Sequence, residues 1–126
     1  MRKLALRDEI LLQIDKAARY IGGEVNAVMK NKDDVDIRFA LCFPDTYEIG
    51  MSNLGIKILY GVSNALDGVW CERVFAPWGD MEDAMRDNGI PLWALESGEE
   101  LSEFDAIGFS IGYEMAYTNV LNMLDL

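Results

Sequence analysis

Apolar positions recur along the chain in two periods, and the switches between them mark its elements. Leu4, Leu6, Ile10, Leu11 and Ile14 stand at near-helical spacing among charges, which predicts an amphipathic helix over 4–16. Gly22-Gly23 breaks it, and Asn31 to Asp34 forms a polar joint. From Val35 to Phe43 (VDIRFALCF), Val35, Ile37 and Phe39 alternate with polar residues before the run turns apolar throughout. This predicts a strand entering a sheet that is covered on both faces. Pro44-Asp45 ends it. Ser52 stands where a helix N-cap belongs, and a helix is predicted over 53–66. Its expected buried face is Leu54, Ile58, Leu59, Val62, Ala65 and Leu66, and Asp67-Gly68 closes it.

Val69 to Phe75 (VWCERVF) reads as the second strand. Pro77 and Gly79 turn the chain into a short acidic helix, Asp80 to Asn88, with Gly89 at its C′ position. Pro91 to Leu95 predicts a short edge strand, and Glu99 to Glu103 a loop or single turn. Phe104 to Ile111 (FDAIGFSI) predicts a third main strand. A last helix is expected from about Tyr113 to Leu124, with Met115, Val120, Leu121, Met123 and Leu124 as its apolar positions.

Strands alternating with helices imply an α/β fold: a Rossmann-like parallel sheet with right-handed crossovers and flanking helices. Residues 1–34 read as an N-terminal helix and linker, and 35–126 as the Rossmann-like domain. Three main strands are few for a doubly wound sheet, and no strand follows the last helix. The expectation is therefore an incomplete domain, the β-α half of a longer protein. A naturally short domain that completes itself by dimerising is the alternative. Unpaired sheet edges and an apolar helix face favour association, so a homo-oligomer is expected of the fragment.

Charge and chemistry narrow the function. The 126 residues carry 11 basic and 22 acidic side chains, a net of −11. Residues 1–32 hold seven basic against four acidic side chains, whereas residues 87–126 hold eight acids and no Lys or Arg. Such a field repels a phosphate backbone, so nucleic acid is not an expected partner. Histidine is absent, which excludes a His-dependent triad and a His-ligated metal. The two cysteines, Cys42 and Cys71, are too few for an iron–sulfur cluster, which wants about four thiolates. Each lies in an apolar run, as two free thiols in a reducing cytoplasm would; a disulfide between neighbouring strands is the alternative. No apolar run approaches the ~20 residues that span a bilayer, and Asp8-Glu9 interrupt any signal-peptide pattern, so no membrane partner is expected.

In an open α/β sheet the ligand crevice lies beyond the carboxyl ends of the strands. Three loops should build it: Pro44 to Asn53, Ala76 to Asp80, and Ser110 to Glu114. The candidate contact residues are Tyr47, Glu48, Gly50, Met51, Ser52 and Asn53, then Pro77 and Trp78, then Ser110 and Tyr113. Amides opening the helix near Ser52 would welcome an anion, but Asp45 and Glu48 oppose a phosphate. There is neither a G-x-G-x-x-G nor a Walker lysine. Tyr47, Trp78 and Tyr113 read either as an aromatic lining or as packing lids. Asp45, Glu48, Asp80 and Glu114 read either as a carboxylate rim for a hard cation or as solvated charges.

Several segments carry a resemblance. They are Ala18 to Glu24 (ARYIGGE), Phe43 to Gly55 (FPDTYEIGMSNLG), Glu72 to Trp78 (ERVFAPW), Asp80 to Glu82, Leu95 to Ser97, Phe104 to Ser110, and Tyr117 to Leu121. Together they resemble the N-terminal region of a family of bacterial radical S-adenosylmethionine proteins, across about residues 16–126. The resemblance implies a cobalamin-binding-like or flavodoxin-like domain ahead of a radical barrel. In that barrel, three cysteines would hold a [4Fe–4S] cluster that cleaves S-adenosylmethionine. No such motif stands in these residues, so the resemblance implies a cofactor- or substrate-presenting portion, not an enzyme by itself. Its expected partner is the downstream radical barrel of the same chain. Better-known cobalamin domains carry a D-x-H-x-x-G loop, and no histidine stands in the corresponding loop here. Any cobalamin would then lack a histidine lower ligand, and Tyr47, Glu48, Met51 or a water would face that side. The alternative is an interaction or oligomerisation module that keeps the fold and has lost the cofactor.

Overall fold

A computed structural model describes residues 8–126. Three strands form one sheet: β1 (Ile37–Phe43), β2 (Val69–Phe75) and β3 (Ala106–Phe109). Their spatial order is β2-β1-β3, and both pairings are parallel. The helices are α1 (Asp8–Leu11), α2 (Tyr47–Ser52), α3 (Leu54–Asn64), α4 (Gly79–Asn88) and α5 (Tyr117–Asp125). Alternate side chains of a strand face opposite ways, and two cores follow. Leu41 and Cys71 pack with Ile56 and Tyr60 of α3 on one face. Ala40, Cys42 and Val74 pack with Met81 and Met85 of α4 and Met123 of α5 on the other. The molecule is thus an α/β sheet flanked on both faces, as the alternating pattern predicts.

Several elements differ from their sequence pattern. Of the helix expected over 4–16, Asp8–Leu11 is helical and residues 12–16 are not, while residues 4–7 lie outside the described ones. Leu12 is exposed, and the amide of Asp15 donates to Asp80 Oδ2 at 2.8 Å, an interaction with α4 that replaces a helical bond. β1 starts at Ile37, not Val35, and its first residues are reversed: Ile37 is exposed while Arg38 is buried. The reversal follows from charge pairing. Arg38 donates to Glu72 Oε2 at 2.6 Å and to Glu99, and its guanidinium lies 5.2 Å from the centre of the Trp70 ring and 4.4 Å from that of Phe104.

The segment between β1 and α3 is not an open loop; α2 occupies most of it. Ser52 ends α2 and donates its hydroxyl to the Glu48 carbonyl at 2.7 Å. Asn53, not Ser52, caps α3, accepting from the Ile56 amide at 3.0 Å. α3 also turns a different face inward. Ile56 and Tyr60 are buried, whereas Leu54, Ile58, Leu59, Val62 and Leu66 are exposed. Tyr60 is drawn in by its hydroxyl, which accepts from the Val28 amide and donates to Glu96.

The expected strand at Pro91–Leu95 is a single antiparallel bridge, Trp93 with Glu100. Residues 92–97 are nonetheless buried, because they lie along β2. The Leu95 amide donates to the Arg73 carbonyl at 2.9 Å, and the Ser97 amide to Glu72 Oε1 at 2.9 Å. Gly22 adjoins this strip in a left-handed conformation (φ 66°), where a Cβ would collide with the Leu95 carbonyl. β3 is shorter than expected, at four residues, and a 3-10 turn over Glu114–Ala116 precedes α5. Of the apolar positions named there, Met123 is buried and Val120 half-buried, while Met115, Leu121 and Leu124 are exposed. α4 follows its pattern closely and ends at Gly89 in the left-handed region.

Candidate functional site

All three strands are parallel, so the segments that follow them emerge at one edge of the sheet. After β1 comes Pro44 and then α2. After β2 come Ala76, Pro77 and Trp78, and after β3 come Ser110 to Tyr113. In a 2-1-3 order, the connections leaving β1 and β3 run to opposite faces, and a crevice at that switch is where such sheets place ligands. Here the Ser110 amide donates to the Cys42 carbonyl, and Asn119 of α5 donates its amide to the Pro44 carbonyl at 3.0 Å. The switch is therefore laced together at its base. The segments that follow the three strands carry exposed apolar side chains: Ile49, Trp78, Ile111, Tyr113 and Met115.

The expected site residues fall into three groups. Tyr47, Glu48, Pro77 and Trp78 meet the segment before β1. Arg19 donates to Glu48 Oε1 at 2.7 Å, and this hydrogen bond holds the Glu48 carboxyl below its ordinary range. The Arg19 guanidinium also lies 5.7 Å from the centre of the Trp78 ring, and the Trp78 amide donates to the Tyr20 hydroxyl. Tyr47 packs edge-on against Phe75 and donates to Glu24 Oε1 at 2.9 Å. Burial and then the Glu24 hydrogen bond push its phenol up to about 12. A small cleft of about 20 Å³ lies between Tyr47, Pro77, Tyr20 and Trp93, a volume on the scale of one water.

Gly50 and Met51 form the second group. Gly50 is buried against the Phe75 ring, where any Cβ would collide with it. The Met51 sulfur accepts from Arg73 Nη1 at 3.3 Å. Ser52 and Asn53 are spent on the helix contacts described above. Ser110 and Tyr113 form the third group, across the switch from α2.

The carboxylate rim does not assemble. Glu48 pairs with Arg19, Asp45 accepts from the Thr46 amide, and Asp80 accepts from Met81 and Asp15. Among the described residues, no three of His, Cys, Asp and Glu gather as a metal ion would require. Both cysteines are free and buried, and burial pushes each thiol up to about 12.

Sequence reasoning missed a second constellation, centred on Arg73. Its Nε donates to Glu96 Oε1 at 2.7 Å, its guanidinium lies 4.5 Å from the centre of the Tyr60 ring, and Glu24 Oε2 is 3.5 Å from Nη2. Met51, Ile56, Lys57, Tyr60 and Asn26 join Arg73 around a cleft of about 280 Å³. A signal was present: Glu72-Arg73 lies inside the apolar run VWCERVF, and a strand covered on both faces cannot turn both charges to water.

No helix of the described residues is long and apolar enough to cross a membrane. No curated protein and no solved structure matches the chain. Residues 55–126, more than half of it, match the family described as radical SAM proteins, N-terminal. The match takes in α3, all of β2 and β3, and the two helices that close the second face. The chain belongs to this family of N-terminal regions of radical SAM proteins.

Proposed function

We propose that this domain offers the carboxyl edge of its sheet to the radical SAM barrel of the same protein and holds a cofactor or substrate there. The observation that carries the reading is the apolar lip. Ile49, Trp78, Ile111, Tyr113 and Met115 come from segments following three different strands, and all are exposed at one edge. Scattered exposed apolar residues are ordinary, but a group gathered at a strand-end edge is a contact surface.

Cobalamin is the first cofactor to test, because a flat macrocycle suits an apolar lip. The side chains expected beneath cobalt are already engaged: Tyr47 by Glu24, Glu48 by Arg19, and Met51 by Arg73. Any of these residues would have to give up its present partner to face a corrin. The iron–sulfur cluster and S-adenosylmethionine are assigned to the barrel; the two cysteines here are buried, and burial pushes each thiol up to about 12. Reduced buried thiols fit a cytoplasmic setting. Titrating the full-length protein with hydroxocobalamin tests the reading. A shift in the visible spectrum with quenching of indole emission, weakened in Trp78→Leu, is expected; an unchanged spectrum would remove cobalamin from it.

The second reading is an interaction module without a small-molecule site. The apolar stripe on α3 favours it: Leu54, Ile58 and Val62 recur every fourth residue, and Leu59 and Leu66 flank them, all exposed. A self-associating domain gives a dimeric or larger mass by light scattering, and Ile58→Glu should lower it; a monomeric mass rejects this reading.

A further inference from the structure

Beyond Nε, the Arg73 guanidinium hydrogen-bonds no oxygen among the described residues, and its Nη2 makes only a 3.5 Å ion pair with Glu24 Oε2. A guanidinium carries five N–H donors. Glu96 takes the one on Nε, and the Met51 sulfur is a weak acceptor for Nη1. Nη2 is buried and has no hydrogen-bond partner among the described residues. Arg73 is 6% exposed, so its spare donors are not open to bulk water. Leaving a charged donor unpaired in such a place is costly, and native structures rarely do so without a ligand or an ordered water. Glu24 Oε2, 3.5 Å away, is likewise buried and without a hydrogen bond. Arg73 lines the cleft together with Met51, Lys57, Tyr60 and Asn26, and it holds Glu24 by this ion pair without a hydrogen bond between them.

We propose that this cleft under α3 binds a small zwitterion of the α-amino acid class. The carboxylate would lie on the Nη1–Nη2 edge of Arg73, where two parallel N–H donors match its two oxygens. The adjoining ammonium would donate to Glu24 Oε2. Lys57 at the cleft adds a second positive charge, and Asn26 can both donate and accept. A dianionic phosphate meets the same fork but also the carboxylates of Glu24 and Glu96, which oppose it. The flexible Met51 thioether fills the fork in the absence of ligand and can swing aside, as an unbranched side chain readily does. The site shares Met51 with the residues expected beneath a corrin, but it rests on Arg73 and Lys57 and stands whether or not the lip takes a corrin.

Calorimetric titration of the full-length protein with L-alanine, acetate and inorganic phosphate tests this. L-Alanine should bind best and phosphate worst. Lys57→Glu, at an exposed position, should weaken L-alanine by roughly tenfold and leave the thermal midpoint unchanged. No heat from any of the three, or equal L-alanine affinity in Lys57→Glu, overturns the proposal. Phosphate binding tighter than L-alanine overturns the zwitterion assignment. The corrin titration reads a different signal, so the failure of either leaves the other standing.

Discussion

The sheet has two edges, and they are built in opposite ways. β2 is an edge strand by pairing, yet six of its seven residues are buried, because residues 92–97 run along it and Glu72 and Arg73 reach out to Ser97 and Glu96. β3, at the other edge, is four residues long, and Ala106 and Ile107 are exposed. Natural sheets manage an edge by covering it or by keeping it short, and this one does each once. The comparison teaches that charge does not mark the open side here. The covered edge carries the two ion-paired charges, and the open edge carries Ala-Ile-Gly-Phe.

If the covered edge depends on its buried pairs, breaking one should cost far more than any change on β3. Glu96→Ala leaves the Arg73 guanidinium without its main partner and should destabilise by about 3–5 kcal/mol in urea unfolding. A loss no larger than that of an exposed substitution would mean that the strip does not hold β2.

Acid should weaken the same side without mutation. Burial alone would raise the Glu99 carboxyl, but hydrogen bonds from Lys32 and Arg38 outweigh it and hold it below the ordinary range. A carboxyl lowered on folding contributes stability above its unfolded value, about 4.3, and that contribution is lost as pH falls through the folded value. Unfolding midpoints should therefore fall below pH ~4.3 in the native protein and fall less steeply in Glu99→Gln. Glu96, raised by burial, works in the opposite sense but is common to both proteins, so the difference isolates Glu99.

Smaller effects belong to the joint between β1 and α3. Gly50→Ala drives a methyl into the Phe75 ring and should cost about 1–3 kcal/mol, partly recovered by Phe75→Leu. Asn53→Ala removes the α3 cap for about 1 kcal/mol, whereas Ser52→Ala should cost less. The smallest change is at the open edge: Ile107→Lys should stay within about 0.5 kcal/mol of wild type. If the chain associates through β3, that same substitution should lower the mass seen by light scattering, since an edge lysine blocks strand pairing.

The strands, their parallel order and α4 with its Gly89 stop were legible because each rests on local signals: apolar runs, turn residues and a glycine in the left-handed region. The faces were less legible. Hydropathy assigns Leu54, Ile58 and Val62 inward, yet Tyr60 takes the inner face because its hydroxyl joins Val28 to Glu96, a relation spanning distant parts of the chain. Ile37 and Arg38 exchange places for the same kind of reason: Arg38 meets Glu72 and Glu99, which sequence spacing does not bring together. Ser52 and Asn53 are both good caps in adjacent positions, and only the extent of α2 decides between them. Trp78 and Tyr113 could be placed after their strands because strand ends can be counted along a sequence, whereas Ile49, Ile111 and Met115 carry no signal that separates them from ordinary apolar positions. The Arg73 cleft was not legible, because it needs Glu24, Met51, Lys57 and Glu96 folded onto one strand.

Cys42 lies in the central strand and Cys71 in the covered edge, and each is fully shielded with its thiol pushed up to about 12. Alkylating reagents take only the thiolate, so modification at neutral pH has to wait for the surrounding layers to part. The chain therefore carries its own pair of clocks. Equal modification rates at the two sulfurs would mean that the sheet opens as a unit, and a faster Cys71 that the strip along β2 peels away first.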